Sequence, residues 1–304
     1  MYDIGIIGGG TAGMTAAIYG LRAGKSVVII EGESFGGQIV FSPHVENYPG
    51  IFKMSGNEFA TNLLDQAMNF GAETMFTNVE RIRVEDDKKI IVTEDEEVEC
   101  KTVILATGAR HRPLGVAREA DFIGAGISYC ATCDGAFFKG MDTAVVGGGN
   151  TALQDAIFLS SYCAHVYIIH RRDEFRGEEH LVKTLKAKEN VSFVLDSVVE
   201  SLEGSDLLEG VVVRNKKTNE ITKLKVEGLF VAIGQAPKND RFAEVVKLDA
   251  GGYVLASEDC MTSANGVFAA GDCRTKEVRQ LTTAAADGAV AALAASQYID
   301  RFCK

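Results

Sequence analysis

The sequence predicts an α/β protein made of two Rossmann-like domains of the three-layer type, the second inserted in the first. The chain has 304 residues, about twice the length of a common single domain. It contains 32 glycines but only 4 prolines, which indicates many tight turns rather than extended linkers. A glycine-rich turn between an apolar strand and a helix occurs twice, at a constant offset of 139 residues. This repeat decides the fold class, because each copy opens a strand–helix–strand unit.

The first copy of this turn follows the first predicted strand. The apolar run 3–7 leads into Gly-Gly-Gly-Thr-Ala-Gly at 8–13, a helical pattern follows to residue 21, and a second strand at 27–30 ends on an acid. Together these form the complete dinucleotide fingerprint, in which the glycines admit a pyrophosphate to the helix N-terminus and the acid reaches a ribose hydroxyl. The predicted contacts of this first site are Gly8, Gly10, Thr11, Ala12, Gly13 and Glu31.

The second copy differs from the first at one informative position. A strand at 144–146 leads into Gly-Gly-Gly-Asn-Thr-Ala at 147–152, and the offset places a histidine and then arginines where the first copy has its acid. Arginines pair with a phosphate through forked, charge-assisted hydrogen bonds, whereas an acid would repel it. The second site is therefore predicted to prefer NADPH to NADH; the alternative is a solvated basic face. Its predicted contacts are Gly147, Gly149, Asn150, Thr151, His170, Arg171, Arg172 and Arg176.

A second repeated pattern, a strand followed by a glycine turn and a proline, predicts the domain boundaries. Apolar strands that begin at 103 and 229 each close on a glycine turn, and a proline follows each of them at 113 and 237. The first domain is therefore predicted to consist of residues 1–113 and 238–304, and the inserted second domain of residues 114–237.

The returning segment of the first domain carries one further candidate. A strand at 266–270 ends at Gly271-Asp272, where a short acid can hold a polyol hydroxyl. A helix from about residue 282 to 298 follows, and its N-terminal dipole could stabilise negative charge on a ring.

Charge and cysteine usage exclude several function classes. There are 31 basic and 42 acidic residues, a net charge of −11, which argues against a general binder of nucleic acid or of anionic membranes. No apolar stretch approaches the roughly 20 residues of a membrane span, and residues 1–10 lack the pattern of a signal peptide. The seven cysteines are an odd number and are spread over the chain, which favours a reducing cytoplasm with most thiols free.

Only two of the cysteines lie close together, in the segment Cys130-Ala-Thr-Cys133-Asp134-Gly. A zinc site needs about four ligands and the other cysteines are single, so no metal site is predicted. The spacing suits a redox dithiol that opens and closes by thiol–disulfide exchange, and Asp134 could supply or remove a proton in that exchange. The alternatives are two inert core cysteines and a simple Asp-Gly turn.

Two dinucleotide sites and a dithiol together indicate electron transfer. Nicotinamide gives up a hydride, whereas thiol exchange moves two electrons without one, so a flavin is the expected intermediary. We therefore expect FAD at the acid-ended first site and NADPH at the arginine-ended second site. Electrons would pass from NADPH through FAD to Cys130–Cys133 and then to an external disulfide.

The same segments resemble a known family over essentially all 304 residues. The CATCDG segment, followed by the GGGNTA turn and His170-Arg171-Arg172, is similar to the low-molecular-weight, bacterial-type thioredoxin reductases. Residues 36–50 resemble the flavin-contacting loop of that family, and residues 271–280 resemble its late FAD motif. Together with the first strand-end turn, these segments add the predicted FAD contacts Gly37, Gln38, Asn47, Thr107, Gly108, Gly271, Asp272, Arg279 and Gln280.

The resemblance also implies an assembly and a partner. It implies a homodimer with one FAD in each subunit, a large rotation of one domain against the other, and thioredoxin as a transient protein substrate. It further suggests that Cys133 lies nearest the flavin and that Asp134 is the acid/base group. The chain departs from the family pattern at Ala125, between Gly124 and Gly126, where members often carry a basic residue that helps to dock thioredoxin.

Two alternatives stay open at this point. One is an NADPH-dependent flavoprotein that reduces another acceptor, such as ferredoxin, a quinone or a different dithiol protein. The other is a non-enzymatic sensor that binds NADPH to signal redox state, which would hold no flavin.

Overall fold

The computed structural model describes residues 1–85 and 88–303. It divides into two compact units: unit 1 is Met1–Arg110 with Ala236–Lys304, and unit 2 is His111–Gln235. The sequence places the two boundaries at 113/114 and 237/238 instead. The difference arises because the chain passes between the units within two-residue strands, Arg110–His111 and Gln235–Ala236.

The regular elements follow one another in a mostly alternating order. The strands are β1 (Tyr2–Ile7), β2 (Val27–Glu31), β3 (Glu73–Phe76), β4 (Val79–Val84), β5 (Lys89–Thr93), β6 (Glu97–Leu105), β7 (Arg110–His111), β8 (Ile127–Ser128), β9 (Asp142–Val146), β10 (His165–Ile169), β11 (Val191–Val194), β12 (Ser197–Glu203), β13 (Gly210–Asn215), β14 (Ile221–Leu224), β15 (Gly228–Val231), β16 (Gln235–Ala236) and β17 (Val267–Ala269). The α-helices are α1 (Thr11–Arg22), α2 (Gly56–Asn69), α3 (Ala131–Asp134), α4 (Asn150–Leu159), α5 (Glu179–Lys186) and α6 (Leu281–Phe302).

Unit 1 is built on one mixed sheet in the order β3-β2-β1-β6-β5-β4, with β17 also paired to β6. Strands β3, β2, β1, β6 and β17 are parallel, whereas β4 and β5 form an antiparallel extension. The central strands are almost wholly apolar and buried, as expected for parallel strands covered on both faces. Because the strands are parallel, the turns after β1, β6 and β17 meet at one edge of the sheet.

Helices α1 and α6 pack against each other through small residues. A Cβ atom placed on Gly288 of α6 would lie 2.2 Å from the carbonyl oxygen of Ala12 in α1, so only glycine permits this approach. Gly13 does the same for the turn before α1, because its Cβ would lie 1.9 Å from the carbonyl oxygen of Gly8. The two helices thereby hold the first glycine turn beside the turn after β17.

Unit 2 repeats this plan with a parallel sheet in the order β11-β10-β9-β15-β8 and a separate antiparallel sheet β12-β13-β14. The central trio β10-β9-β15 corresponds to β2-β1-β6 of unit 1, and α4 corresponds to α1. The prediction of two Rossmann-like α/β units is confirmed. Within residues 1–85 and 88–303, none of the helices combines the length and the apolar character that a membrane crossing requires.

Candidate active site

The first glycine turn lies in a cleft of unit 1. Helix α1 begins at Thr11 with Gly10 as its N-cap and with no side chain capping it, so the first helix amides remain available to an anion. Of the residues predicted for the first site, those that line the cleft are Gly8, Gly10, Thr11, Ala12, Glu31, Gly37, Gln38, Thr107, Gly108, Gly271, Asp272 and Gln280. The other three residues, Gly13, Asn47 and Arg279, are not part of this lining.

Two of those three make contacts of their own. Asn47 donates a hydrogen bond from Nδ2 to Oε1 of Gln280 at 3.3 Å. The guanidinium of Arg279 lies 4.3 Å from the ring centroid of Tyr253 and donates to the carbonyl oxygen of Asp272 at 3.4 Å. Both residues therefore support the lining from outside.

The carboxylate of Glu31 is fixed by backbone amides. Its Oε2 accepts a hydrogen bond from the Gly9 amide at 2.7 Å, and its Oε1 accepts one from the Glu33 amide at 2.8 Å. Since a carboxylate can accept about four hydrogen bonds, capacity remains for a hydroxyl in the cleft.

Asp272 supplies a second acid to the cleft. Its Oδ1 is buried and has no hydrogen-bond partner among the described residues, and burial raises the pKa of its carboxyl group. A buried acceptor without a partner is costly, so a ligand hydroxyl at this position would remove that cost.

The turn that carries Asp272 is held by a buried ionic cluster. Oδ2 of Asp287, on α6, accepts hydrogen bonds from the Gly271 amide at 2.9 Å, from Nε of Arg274 at 2.8 Å and from Nζ of Lys276 at 2.9 Å. Arg274 also donates from Nη2 to Oδ1 of Asp287 at 2.8 Å and is only 1% exposed. These two cations outweigh the effect of burial and lower the pKa of Asp287. The cluster fixes the position of the turn.

The second glycine turn lies in unit 2 at the start of α4. Gly149 is the N-cap of that helix and adopts extended backbone, again without a capping side chain. The side chain of Asn150 exchanges two hydrogen bonds with Glu178: Nδ2 donates to Oε1 at 2.9 Å, and Oδ1 accepts from the Glu178 amide at 2.8 Å. Asn150 therefore fastens the segment 170–178 to the turn, and Thr151 beside it is exposed.

His170 is placed differently from the three arginines predicted with it. It is 6% exposed, its Nε2 lies 3.0 Å from the carbonyl oxygen of Glu174, and its ring stacks on Phe175 at 5.1 Å. Burial, together with the charges of Arg171 and Arg172, lowers its pKa, so the imidazole is neutral near pH 7. A Cβ on Gly148 would lie 2.1 Å from this ring. The His170 ring therefore occupies the space that any larger side chain at position 148 would need.

Arg171, Arg172 and Arg176 all lie exposed on the surface of unit 2. Within the part of the chain that the structure describes, none of them forms an ion pair. Guanidinium groups of this kind beside a glycine turn have the charge and the forked donors that pair with a phosphate group.

Cys130 and Cys133 form a disulfide at the junction of β8 and α3. Both residues are half-buried. The carbonyl oxygen of Cys130 accepts hydrogen bonds from the amides of Cys133 and Asp134 at 3.2 and 3.1 Å, which closes the turn between the two sulfurs. The predicted pairing of these two cysteines is confirmed.

The other cysteines of the described chain are free thiols. Cys100, Cys163, Cys260 and Cys273 are buried, and Cys303 is half-buried. Burial raises the pKa of Cys100 and of Cys260 to about 12, which keeps these thiols protonated and unreactive. Within the described ranges, no group of three or more His, Cys, Asp and Glu side chains could hold a metal ion.

Asp134 is joined to the disulfide through Ser128. The hydroxyl of Ser128 lies 2.6 Å from Oδ2 of Asp134 and accepts a hydrogen bond from the Cys130 amide at 3.1 Å. Ser128 is 5% exposed, so this contact is sheltered from water.

Comparisons with known proteins identify the family of this chain. The family profile described as pyridine nucleotide-disulphide oxidoreductase matches residues 2–288. The chain belongs to this family.

Among members similar to this chain, a 34.2 kDa protein in the rubredoxin operon of Clostridium pasteurianum is 43% identical over 298 residues, which cover 98% of this chain and 97% of that protein. The thioredoxin reductase of Peptoclostridium acidaminophilum is 40% identical over 307 residues, which cover 99% and 98% of the two chains. The solved structure of thioredoxin reductase from Streptococcus pyogenes has a TM-score of 0.95 and 40% identity, with 99% of each chain covered.

In this member of the family a second cluster lies just before the disulfide. Glu119 accepts hydrogen bonds from the hydroxyl of Tyr129 at 3.0 Å and from the amides of Leu114 and Gly115 at 2.8 and 2.9 Å. His111 stacks on Tyr129 with ring centroids 4.7 Å apart, and burial lowers the pKa of His111 to about 4. Burial and the contact with Glu119 raise the pKa of Tyr129. The cluster anchors the strand that leads to Cys130.

No sequence pattern marks Ser128, Glu119, Tyr129 or Asp287 as site residues. Ser128 and Tyr129 precede the cysteine motif directly, and their position was the only available signal. Glu119 and Asp287 act through contacts that no local spacing reveals.

Proposed function

We propose that the protein is an NADPH-dependent thioredoxin reductase that uses FAD and the Cys130–Cys133 disulfide. The observation that carries the proposal is a half-buried disulfide in the same unit as an arginine-rich glycine turn, in a chain whose other unit holds an acid-ended cleft. Relatives that are 39–40% identical over nearly the whole chain are named thioredoxin reductases, which supports thioredoxin as the electron acceptor.

The cleft of unit 1 fits FAD by the chemistry of its groups. The amides at the start of α1, with Gly10, Thr11 and Ala12, would hold the diphosphate. Glu31 would accept a ribose hydroxyl, and Oδ1 of Asp272 would accept a hydroxyl of the ribityl chain. The remaining cleft residues, Gly37, Gln38, Thr107, Gly108 and Gln280, would line the rest of the molecule, with Asn47, Arg279 and Gly13 behind them.

The turn of unit 2 fits NADPH. Gly147, Gly149 and Thr151 would receive the pyrophosphate at the start of α4, where no side chain caps the helix. Arg171, Arg172 and Arg176 would pair with the 2′-phosphate, while His170 and Asn150 shape the loop that presents them. When bound, the nicotinamide supplies a hydride and the flavin relays its two electrons to a disulfide.

The residues of unit 2 then perform the exchange with the protein substrate. The reduced Cys130–Cys133 pair attacks the disulfide of the partner as a thiolate, and Asp134 takes up and returns the proton at its Oδ2. A first thiol forms a mixed disulfide, and the second closes the Cys130–Cys133 bond and releases the partner as a dithiol.

The proposal also covers the oligomeric state, the partners and the cellular location of the protein. We assign a homodimer, with thioredoxin as a transient partner and with neither nucleic acid nor membrane as a partner. We place the protein in the cytoplasm, because the free thiols among the described residues suit a reducing compartment.

A second candidate is an NADPH-dependent flavoprotein that reduces a different acceptor. Two observations favour it: Ala125 stands where the family often has a basic residue, and a relative at 43% identity is described by its place in a rubredoxin operon. In this case the dithiol would reduce another small dithiol protein, or a ferredoxin or quinone would take electrons without Cys130 and Cys133.

The test is reduction of thioredoxin by the purified protein with NADPH or NADH as donor. We expect a yellow protein that oxidises NADPH in a thioredoxin-dependent manner and is far slower with NADH. Cys133→Ser should abolish thioredoxin reduction while flavin binding is kept, and Cys303→Ser, which removes a half-buried free thiol, is the matched control.

The possible failures separate the candidates. A colourless protein would contradict the flavoenzyme and favour the sensor. Unchanged physiological turnover by Cys133→Ser would show that the acceptor takes electrons without the disulfide. Inert thioredoxin with reduction of another dithiol protein would keep the chemistry and change the partner.

A further inference from the structure

Ser128 joins the acid/base group to the backbone of the disulfide. Its hydroxyl lies 2.6 Å from Oδ2 of Asp134, accepts a hydrogen bond from the Cys130 amide at 3.1 Å, and lies 3.4 Å from the carbonyl oxygen of Cys130. All four groups belong to unit 2, and Ser128 is only 5% exposed.

The hydroxyl of Ser128 has one proton and two acceptor positions. The Cys130 amide occupies one acceptor position, so the proton and the second lone pair remain for Asp134 and the Cys130 carbonyl. When Asp134 is ionised, Ser128 donates to its carboxylate. When Asp134 is protonated, Ser128 accepts from the acid and turns its own proton to the Cys130 carbonyl, which it shares with the amides of Cys133 and Asp134.

We propose that Ser128 is a positioning residue that serves Asp134 in both protonation states and sets the balance between them. The two arrangements are unequal, because a 2.6 Å hydrogen bond to a carboxylate is stronger than a 3.4 Å hydrogen bond to a carbonyl. Ser128 therefore favours the ionised carboxylate, which is the form that can take a proton from a thiol. This inference rests on the proposed thiol–disulfide chemistry.

The exchange balances with Ser128 in this position. One thiol of the reduced pair gives its proton to Asp134 and, as a thiolate, bonds to one sulfur of the partner disulfide, whose S–S bond breaks. The leaving sulfur takes the proton from Asp134. The second thiol repeats the transfer as it closes the Cys130–Cys133 bond, so the partner gains two electrons and two protons. Each time Asp134 gains and loses the proton, the Ser128 hydroxyl rotates from Asp134 to the Cys130 carbonyl and back.

The test is the pH profile of the reduced holoenzyme in Ser128→Ala. Loss of a hydrogen bond to the carboxylate should raise the midpoint of the acid limb for thioredoxin reduction by about one pH unit. Below that midpoint the rate should fall up to about tenfold, with little change at high pH. Ser128→Thr keeps the hydroxyl and should restore the wild-type profile.

Two further variants separate positioning from folding. Ser160→Ala removes another buried serine hydroxyl of unit 2, one that donates to the Ile157 carbonyl at 2.6 Å, and should leave the midpoint unchanged. In an Asp134→Asn background, Ser128→Ala should produce no further shift, because the group through which Ser128 acts no longer titrates.

The reactivity of the dithiol can also be measured without a partner protein, and this measurement does not depend on thioredoxin being the substrate. Alkylation of the reduced dithiol by iodoacetamide, followed against pH, should show the same upward shift in Ser128→Ala even if thioredoxin proves inert. A Ser128→Ala protein with the wild-type midpoint, or with an equal loss of rate at every pH, would overturn the role of Ser128. So would a shift that persists in the Asp134→Asn background.

Discussion

His111 shows how one buried side chain links stability to pH. Burial lowers its folded-state pKa to about 4, below the ordinary value of 6.5. The unfolded chain therefore binds a proton at a higher pH than the folded chain, and stability is lost as the pH falls from 6.5 towards 4. The residue lies against Tyr129, so the effect bears on the strand before the disulfide.

We expect the free energy of unfolding to fall by about 2 kcal/mol between pH 7.5 and 5 on account of His111. Urea denaturation followed by circular dichroism at the two pH values measures this change. His111→Gln should lose less stability than the wild type over the same interval, and exposed His180→Gln is the control. A His111→Gln protein with the full wild-type loss would place the effect elsewhere.

The three exposed arginines give a prediction about the choice of nucleotide. Replacing Arg171, Arg172 or Arg176 by alanine removes a charge-assisted contact of about 1.5–3 kcal/mol to the 2′-phosphate. The KM for NADPH should rise about tenfold to a hundredfold, while the KM for NADH should stay nearly constant. Arg214→Ala, which removes a half-buried arginine paired with Glu200, should change neither. Equal effects on both nucleotides would count against the phosphate contact.

At the scale of elements, the junction between α6 and the turn after β17 depends on Asp287. Asp287→Asn leaves the nearly inaccessible Arg274 with much of its charge unpaired, which costs about 3–5 kcal/mol in comparable buried pairs. We expect a lower melting temperature and loss of flavin on gel filtration, because the Gly271–Asp272 turn is released. Visible absorbance per protein measures the retained flavin.

Asp300 provides the matched control on the same helix. Its ion pair with Lys25 lies at the surface, where such a pair contributes only about 0–1 kcal/mol. Asp300→Asn should therefore keep both the flavin and the melting temperature. If Asp287→Asn behaved in the same way, the turn would not depend on the buried cluster.

The elements differ in how far the sequence can predict them. The two glycine turns and the Cys130–Cys133 segment are local motifs, in which spacing and geometry coincide, so both turns were placed correctly at helix starts. The orientation of His170 depends on the space that the missing side chain of Gly148 leaves for its ring. No pattern along the sequence predicts this contact. Contacts between distant segments, such as Asp287 with the Gly271 amide, exist only after the sheet has brought two elements together.

On the scale of the whole molecule, unit 2 is one continuous stretch of chain. Its buried cores, around Leu153 and Val211, are built from residues between 111 and 235. A continuous segment with its own core can fold alone. We expect the fragment 111–235 to unfold cooperatively and to bind NADPH more tightly than NADH.

The same fragment should remain colourless when mixed with FAD, because the acid-ended cleft belongs to unit 1. Calorimetry with the two nucleotides and absorbance after dialysis against FAD measure these properties. An unfolded fragment would contradict its independence, and retained flavin would contradict the assignment of the cofactors to the two units.

The discontinuity of unit 1 has a consequence during synthesis on the ribosome. Strand β6 emerges early, but its parallel neighbour β17 and the helix α6 that packs on α1 emerge only after all of unit 2. At a synthesis rate of about 5–20 residues per second, residues 103–105 of β6 wait on the order of 10–30 s for the strand that pairs with them. Unit 2 can meanwhile complete its fold, so the six N-terminal strands of unit 1 are the stretch of the nascent chain that most needs shelter by a chaperone.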